Sequence, residues 1–352
     1  MSKLFYSITP ERVLQSLEEF DFHPTGHYLA LNSFENRVYD IKLEDGEHLI
    51  IKFYRPGRWS KNQIQEEHDF LLELKANDIP VCAPMVLNDG QTIHSAEEVY
   101  FAIWPRTGGR SADEFSDEQV QILGRLVARI HNVGDSKISS ERICLDSDSY
   151  GRLPLKFLLD NQIIPETARN RYQTAVYNIS EIYETLAKEI PAHRIHGDCH
   201  TGNLLYGDQG WFFLDFDDFL TGPPVQDIWM FFSSRDENGI RQRNLFLDAY
   251  RHFRDFHPSW LSLIEPLRAL RYIHYAAWIA RRWDDPIFPV SFPQFGTESY
   301  WEECVTDLED QLKTIYRSLD KNQGSVFSVP SEYEEEAPLT NEDYFWDLKE
   351  DS

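Results

Sequence analysis

The stretch 194–229, RIHGDCHTGNLLYGDQGWFFLDFDDFLTGPPVQDIW, constrains the fold of this 352-residue chain more than any other. Two short apolar runs, 204–206 and 211–214, flank the turn-forming quartet Gly207-Asp208-Gln209-Gly210, and so predict a β-hairpin. The hairpin carries His196, Asp198 and Asn203 on the loop that enters it and Asp215 on the loop that leaves it. Side chains that do chemistry are commonly displayed on loops fixed by a rigid scaffold, so these two loops are where a site is expected.

The spacing of those polar groups points to a reaction class. Phosphoryl transfer needs a carboxylate to orient and deprotonate a hydroxyl, and oxygen ligands to hold Mg²⁺ against nucleotide phosphates. Asp198 suits the first task. Asn203 follows it with four residues between, the interval of the kinase catalytic loop, and Asp215 falls where a second metal-binding carboxylate belongs. Isolated acidic dipeptides carry no such meaning; here role, order and spacing agree together.

HGDCHTGN, followed by LDFDD and GPPVQDIW, resembles the aminoglycoside phosphotransferase and choline kinase branch of the protein-kinase-like fold. Within that branch, LNSFENRVY, IIKFYRPGRW and IEPLRALRYIHYAAWIARRW extend the resemblance, over residues 1 to about 320, to a group of bacterial stress-response Ser/Thr protein kinases. The resemblance implies an α+β, bilobal fold with a small β-rich N-lobe and a larger helical C-lobe. The expected segments are 1–104 for the nucleotide-binding lobe, 105–320 for the catalytic and acceptor lobe, and 321–352 for a tail. It further implies ATP as co-substrate, Mg²⁺ as cofactor, Ser/Thr hydroxyls of proteins (its own included) as acceptors, and a role in stress protection. By the same resemblance, His196 supports the loop that carries Asp198, Asp227 braces it, and Ser33 contacts ATP.

Composition narrows the partners. With 34 basic against 59 acidic residues the net charge is −25, which argues against nucleic acid or an anionic membrane as partner. The four cysteines, Cys82, Cys144, Cys199 and Cys304, have no paired spacing, as expected in a reducing cytosol. No apolar run reaches the length of a membrane span, and a cytoplasmic location is expected.

In chain order, Thr9-Pro10-Glu11 and the helical spacing of Val13, Leu14, Leu17 and Phe20 predict a short amphipathic helix. Strand-like runs follow at 28–33, 37–42 and 48–54. The turn between the first two has no glycine, unlike the glycine-rich loop of protein kinases. On the residues alone, a serine in such a turn is more often structural. Lys52 shares a strand face with Ile50, whereas Leu49, Ile51 and Phe53 take the other. A helix starting near Ser60 carries Glu66 and Glu67; Glu67 is expected to pair with Lys52, and the pair to hold the α- and β-phosphates. Asp217 and Asp218 crowd Asp215; a reach to a second metal is open to either, but they read more readily as solvated loop carboxylates. Strands are expected at 79–86 and 99–104, a hinge at 105–109, a capped helix after Ser116 with His131 in its core, irregular chain over 135–170, and a long helix at 169–190. The segment 264–288 reads as a helix with one face buried in the core, and the resemblance to related phosphotransferases implies Arg281, Arg282 and Asp284 as acceptor contacts.

From Lys321 onward the chain has nine acidic residues and two lysines, and reads as a disordered acidic tail open to a basic or aromatic-binding partner. Two other functions fit part of the pattern. The twelve-residue step from Asp215 to Asp227 leaves little room for a peptide platform and suits a small-molecule kinase acting on homoserine, choline or an aminoglycoside. The missing glycine loop would also suit a non-catalytic kinase-like scaffold.

Overall fold

The computed structural model of the chain describes Phe5 and residues 8–31, 33–111, 114–208 and 210–323. The acidic tail, apart from its first three residues, lies outside them. The described residues fall into two compact units, one drawn from Met1–Arg142 and Arg194–Leu220, the other from Ile143–His193 and Thr221–Ser352.

The first unit is built on a five-stranded antiparallel sheet of order β1-β2-β3-β5-β4, with β1 Pro24–Leu31, β2 Arg37–Leu43, β3 His48–Phe53, β4 His94–Ala96 and β5 Val99–Pro105. Helix α1 (Pro10–Glu18) begins as its sequence predicts, with the Thr9 hydroxyl accepting from the Arg12 amide at 3.3 Å and Pro10 in the first turn. Its Val13 and Leu17 pack on Leu49, Ile51 and Phe53 of β3, Ile41 of β2 and Phe101 of β5. Burying seven such side chains contributes on the order of 10 kcal/mol before chain entropy is set against it.

Lys52 points to the opposite face, which helix α2 (Lys61–Ala76) covers. Ile64 of α2 clusters there with Tyr54, Ala102 and Trp104. Ser60 and Gln63 close a capping box at its start, so the helix begins at a set residue and its next turn brings Glu67 to the sheet. His68 then fixes the helix: its ring lies 2.7 Å from both the Tyr54 and Thr92 hydroxyls, and burial pushes its pKa down to about 3. The expected strand at 79–86 is absent. Pro80 and Pro84 remove two ladder donors, and the chain instead forms a strap, with Val81 bridging Phe213 in parallel and the Met85 amide donating to Ile103 O. Helix α3 (Asp117–Asp135) has the predicted Ser116–Gln119 capping box, and His131 is fully buried within it.

After the short strand β6 (His193–Ile195), strands β7 (Leu204–Gly207) and β8 (Gly210–Phe213) form the expected hairpin, paired from Leu204↔Phe213 to Gly207↔Gly210. The strap at 80–82 flanks one edge of the hairpin, and Arg110 pairs with Tyr206 on the other through two backbone hydrogen bonds of 2.9 and 2.8 Å. The hairpin is thereby flanked along both edges.

The described residues of the second unit are mainly helical, and the unit takes in part of the short strand β9 (Leu220–Gly222). It contains α4 (Leu153–Asp160), α5 (Glu166–Ala187), α6 (Val225–Trp229), α7 (Glu237–Tyr250), α8 (Ile264–Arg281), α9 (Ile287–Ser291) and α10 (Glu298–Gln323). The long helices α5, α8 and α10 pack on one another, with Tyr172 edge-on to Trp301 at 5.4 Å. Helix α4 and the π-turn Asp148–Arg152 stand where irregular chain was expected; α4 has no side-chain cap that would have marked its start. Arg281 lies 4.9 Å from the Phe157 ring and Arg282 4.8 Å from the Trp278 ring, so two of the three expected acceptor contacts lie over aromatic rings in this unit.

Candidate active site

Hydrogen bonds to backbone groups help shape the loop from His196 to Asn203. His196 is fully buried, with Nε2 2.8 Å from Leu214 O and Nδ1 3.4 Å from the Asp198 amide, and its ring lies 4.3 Å from that of Phe216. With the proton on Nε2, the imidazole donates to one end of the hairpin and accepts from the loop at the other. Gly197 has φ +85°, and a Cβ there would stand 2.4 Å from Asp218 O, so the close approach of loop and turn demands glycine. Asn203 Nδ2 donates to Asp198 O at 2.9 Å and lies 3.5 Å from Asp198 Oδ2. His200 Nε2 lies 3.5 Å from the same carboxylate oxygen.

The amide of Leu214 donates to Asn203 O at 2.9 Å. The open end of the hairpin therefore brings Asn203 beside the residue that precedes Asp215. Asp215 itself has φ +51°, a left-handed conformation that is uncommon outside glycine and often marks functional turns. Its carboxylate stays 57% exposed, while Phe216 and Asp217 behind it are buried in a 3₁₀ turn.

Four charged groups converge behind Asp215. Lys52 Nζ lies 3.0 Å from Asp217, 3.5 Å from Asp215 and 3.6 Å from Glu67. Asp217 also accepts from Arg58 at 2.5 Å, and Arg58 pairs further with Asp218. The expected Lys52–Glu67 pair is present, yet Asp217 approaches the ammonium more closely. Reading Asp217 as a solvated carboxylate was wrong: it is 2% exposed, because the short turn folds it back under Asp215 towards two cations. Asp218, also paired with Arg58, is half-exposed.

Burial works against the charge of Lys52, but Asp217 and Glu67 outweigh it and hold its pKa well above the ordinary value. Burial likewise opposes ionisation of Asp217, and Lys52, Arg58 and Arg142 overcome it, holding the pKa well below the carboxylate range. Glu67, further from a cation, follows its burial and is pushed up to about 7.

The glycine-free turn is fastened by arginines. Arg55 donates to Glu35 O at 3.0 Å and Phe34 O at 2.8 Å, and Arg55 and Arg58 lie 3.1 and 3.3 Å from the Glu35 carboxylate. Ser33 Oγ accepts from the Asn36 amide at 3.1 Å, which gives it a turn-forming bond and leaves it exposed. Asp227 is fully buried in α6 of the second unit.

These groups suit a hard divalent cation. With Asn203 Nδ2 committed to Asp198 O, Oδ1 is the atom left to ligate, and the Asp215 carboxylate is an exposed oxygen donor from the adjoining turn. The two residues supply a pair of oxygens, and bound phosphates and water would complete such a shell.

The sequence profile of the phosphotransferase enzyme family (APH) matches residues 27–264. The chain belongs to this family. Stress response kinase A of Escherichia coli (strain K12) is 36% identical to this phosphotransferase over 312 residues, 88% of this chain and 94% of the relative. A Salmonella typhimurium (strain LT2) relative named serine/threonine protein kinase RdoA is 36% identical over 313 residues, 89% of this chain and 95% of its own. Among solved structures, amicoumacin kinase hAmiN in complex with AMP-PNP, Ca²⁺ and Ami aligns with TM-score 0.70 at 19% identity, covering 88% of this chain and 96% of its own. A microcompartment-associated aminopropanol kinase aligns with TM-score 0.65 at 17% identity, covering 87% and 98%. The phosphotransferase thus shares their kinase-like fold, a small antiparallel sheet joined to a larger helical portion. No helix among the described residues is long and apolar enough to cross a membrane.

Proposed function

We propose that this phosphotransferase moves the γ-phosphoryl group of ATP, with Mg²⁺, to Ser or Thr hydroxyls of proteins, itself included, in protection against stress. The observation that carries the acceptor class is the 36% identity to kinases named for stress response and for Ser/Thr phosphorylation, spread over 94–95% of their length. In this reading Asp198 orients the acceptor hydroxyl and takes its proton, and Lys52, held by Asp217 and Glu67, steadies the α- and β-phosphates. Asn203 and Asp215 would hold Mg²⁺, which neutralises phosphate charge when bound. His196 keeps the Asp198 loop in place, and Ser33 meets the nucleotide from the turn at 33–36. A cytoplasmic location is part of the proposal.

A small-molecule acceptor is the second reading. It is favoured by the chain after Asp215, where a 3₁₀ turn, β9 and α6 fill the twelve-residue step to Asp227 without an extended platform. Purified protein incubated with γ-labelled ATP and Mg²⁺ decides between the two. Label on protein Ser or Thr, absent from Asp198→Ala, is the expected result; label confined to added amino alcohols or aminoglycosides abandons the protein acceptor.

A further inference from the structure

Glu66 and Glu67 are neighbours on α2, yet they serve different partners. Glu67 faces Lys52, while Glu66 is turned about 100° away, the step of one helical residue. Its carboxylate is wrapped by the segment that follows α3: Ser139 Oγ donates at 2.5 Å, Ser140 through its amide at 2.8 Å and its hydroxyl at 3.1 Å, and the amides of Glu141 and Arg142 at 3.2 and 3.1 Å. Gln63, one turn earlier on α2, donates to Glu141 O at 2.9 Å. The same segment ends in Arg142, 6% exposed, whose guanidinium lies 4.1 Å from the Trp59 ring and 4.5 Å from the Phe219 ring. It donates to Phe219 O at 2.9 Å and to Asp217 O.

These contacts close a circuit: Lys52 to Glu67, helix α2 to Glu66, Glu66 to residues 139–142, Arg142 to the Asp217–Phe219 backbone, and Asp217 back to Lys52. We propose that residues 139–142 form a clasp in which Glu66 and Arg142 are positioning residues for nucleotide binding, locking α2 and the turn behind Asp215 into one register. Cutting the clasp at either end frees α2 to slide away from Lys52 and lets the Asp217 carboxylate drift from the ammonium, so Lys52 loses its aim. A planar guanidinium stacked between two rings and donating to two carbonyls has no equivalent in lysine.

The inference rests on the nucleotide-binding part of the proposed function and is independent of the acceptor. Fluorescent N-methylanthraniloyl-ATP titrated into the full chain with Mg²⁺ reads it directly. Glu66→Ala and Arg142→Ala should each weaken binding about tenfold, and the double variant should be no worse than about tenfold, because both cut one circuit. Guanidinium ion should restore affinity to Arg142→Ala, a response that a general loss of packing would not give, and Arg142→Lys should stay impaired. Glu66→Gln keeps the side-chain shape, and carries the test if Glu66→Ala fails to fold; Gln65→Ala on the same helix is the control. Folded variants that bind within about twofold of the parent, or single losses that multiply in the double variant, overturn the clasp. If the parent binds nucleotide and Mg²⁺ but labels no protein, the acceptor assignment fails and the clasp is still tested by the same titration.

Discussion

The loop 196–203 and the turn 215–219 lie at the same open end of one hairpin, but are held by different forces. The loop makes uncharged bonds of short reach, from His196 to Leu214 O and from Asn203 to Asp198 O, to partners within eighteen positions in sequence. The turn is held by Lys52 and Arg58, which stand 163 and 159 positions away from Asp215 and Asp217, and by Arg142 at 75 positions from Asp217. Buried charges gain from their partners only when every partner is in place, whereas a neutral hydrogen bond to a nearby backbone group is less costly to lose. The loop should therefore fail in rate and the turn in stability.

The strongest test of that contrast is Asp217→Ala, which leaves Lys52 and Arg58 facing each other without their shared carboxylate. It should lower unfolding free energy by about 3–5 kcal/mol in denaturant titrations. Its acid limb should change as well. Asp217 has a depressed pKa in the folded state, so its contribution is present above the ordinary value of 3.8 and disappears as pH falls below it; the variant should lose that part of the acid sensitivity. An unchanged denaturation midpoint would remove the distinction between turn and loop. Asp198→Asn should do the opposite, cutting transfer roughly 10²–10⁴-fold with the melting temperature nearly unmoved. Smaller, and lying on the border of the two regions, Gly197→Ala should cost about 1–3 kcal/mol and reduce transfer, since its φ and its approach to Asp218 O both exclude a Cβ.

The same contrast explains what could be read in the sequence. The hairpin, the Asp198–Asn203 interval and the caps at Thr9, Ser60 and Ser116 are local patterns, and the two-residue period put Lys52 on the face that α2 covers. Asp217 was misread because its partners, Lys52 and Arg58, adjoin it only after folding; a run of three acids in five residues gives no sign of which one is buried. Arg142 and the serines before it escaped for the same reason, standing in a stretch without period or motif. The one local hint was Arg55-Pro-Gly-Arg58-Trp59, two arginines and a tryptophan beside a turn that lacks glycine, where fixed positive charge could compensate for missing flexibility.

Glu67 sharpens the comparison with the smallest effect, since it belongs to the charged cluster but lies 3.6 Å from the ammonium while Asp217 lies at 3.0 Å. Burial raises its pKa from 4.5 to about 7, so the folded chain holds this proton more tightly than the unfolded one. Its contribution is then fully present below about pH 4.5 and is lost as pH rises through about 7. That sign is opposite to the one for Asp217, although both carboxylates meet the same lysine. Glu67→Gln removes the titration, and its stability relative to the parent should rise between pH 4.5 and 7, measured by denaturant midpoints across that window. A flat difference over the window would mean that Glu67 is ionised throughout, and that the ammonium is shared evenly between helix α2 and the turn rather than drawn to Asp217.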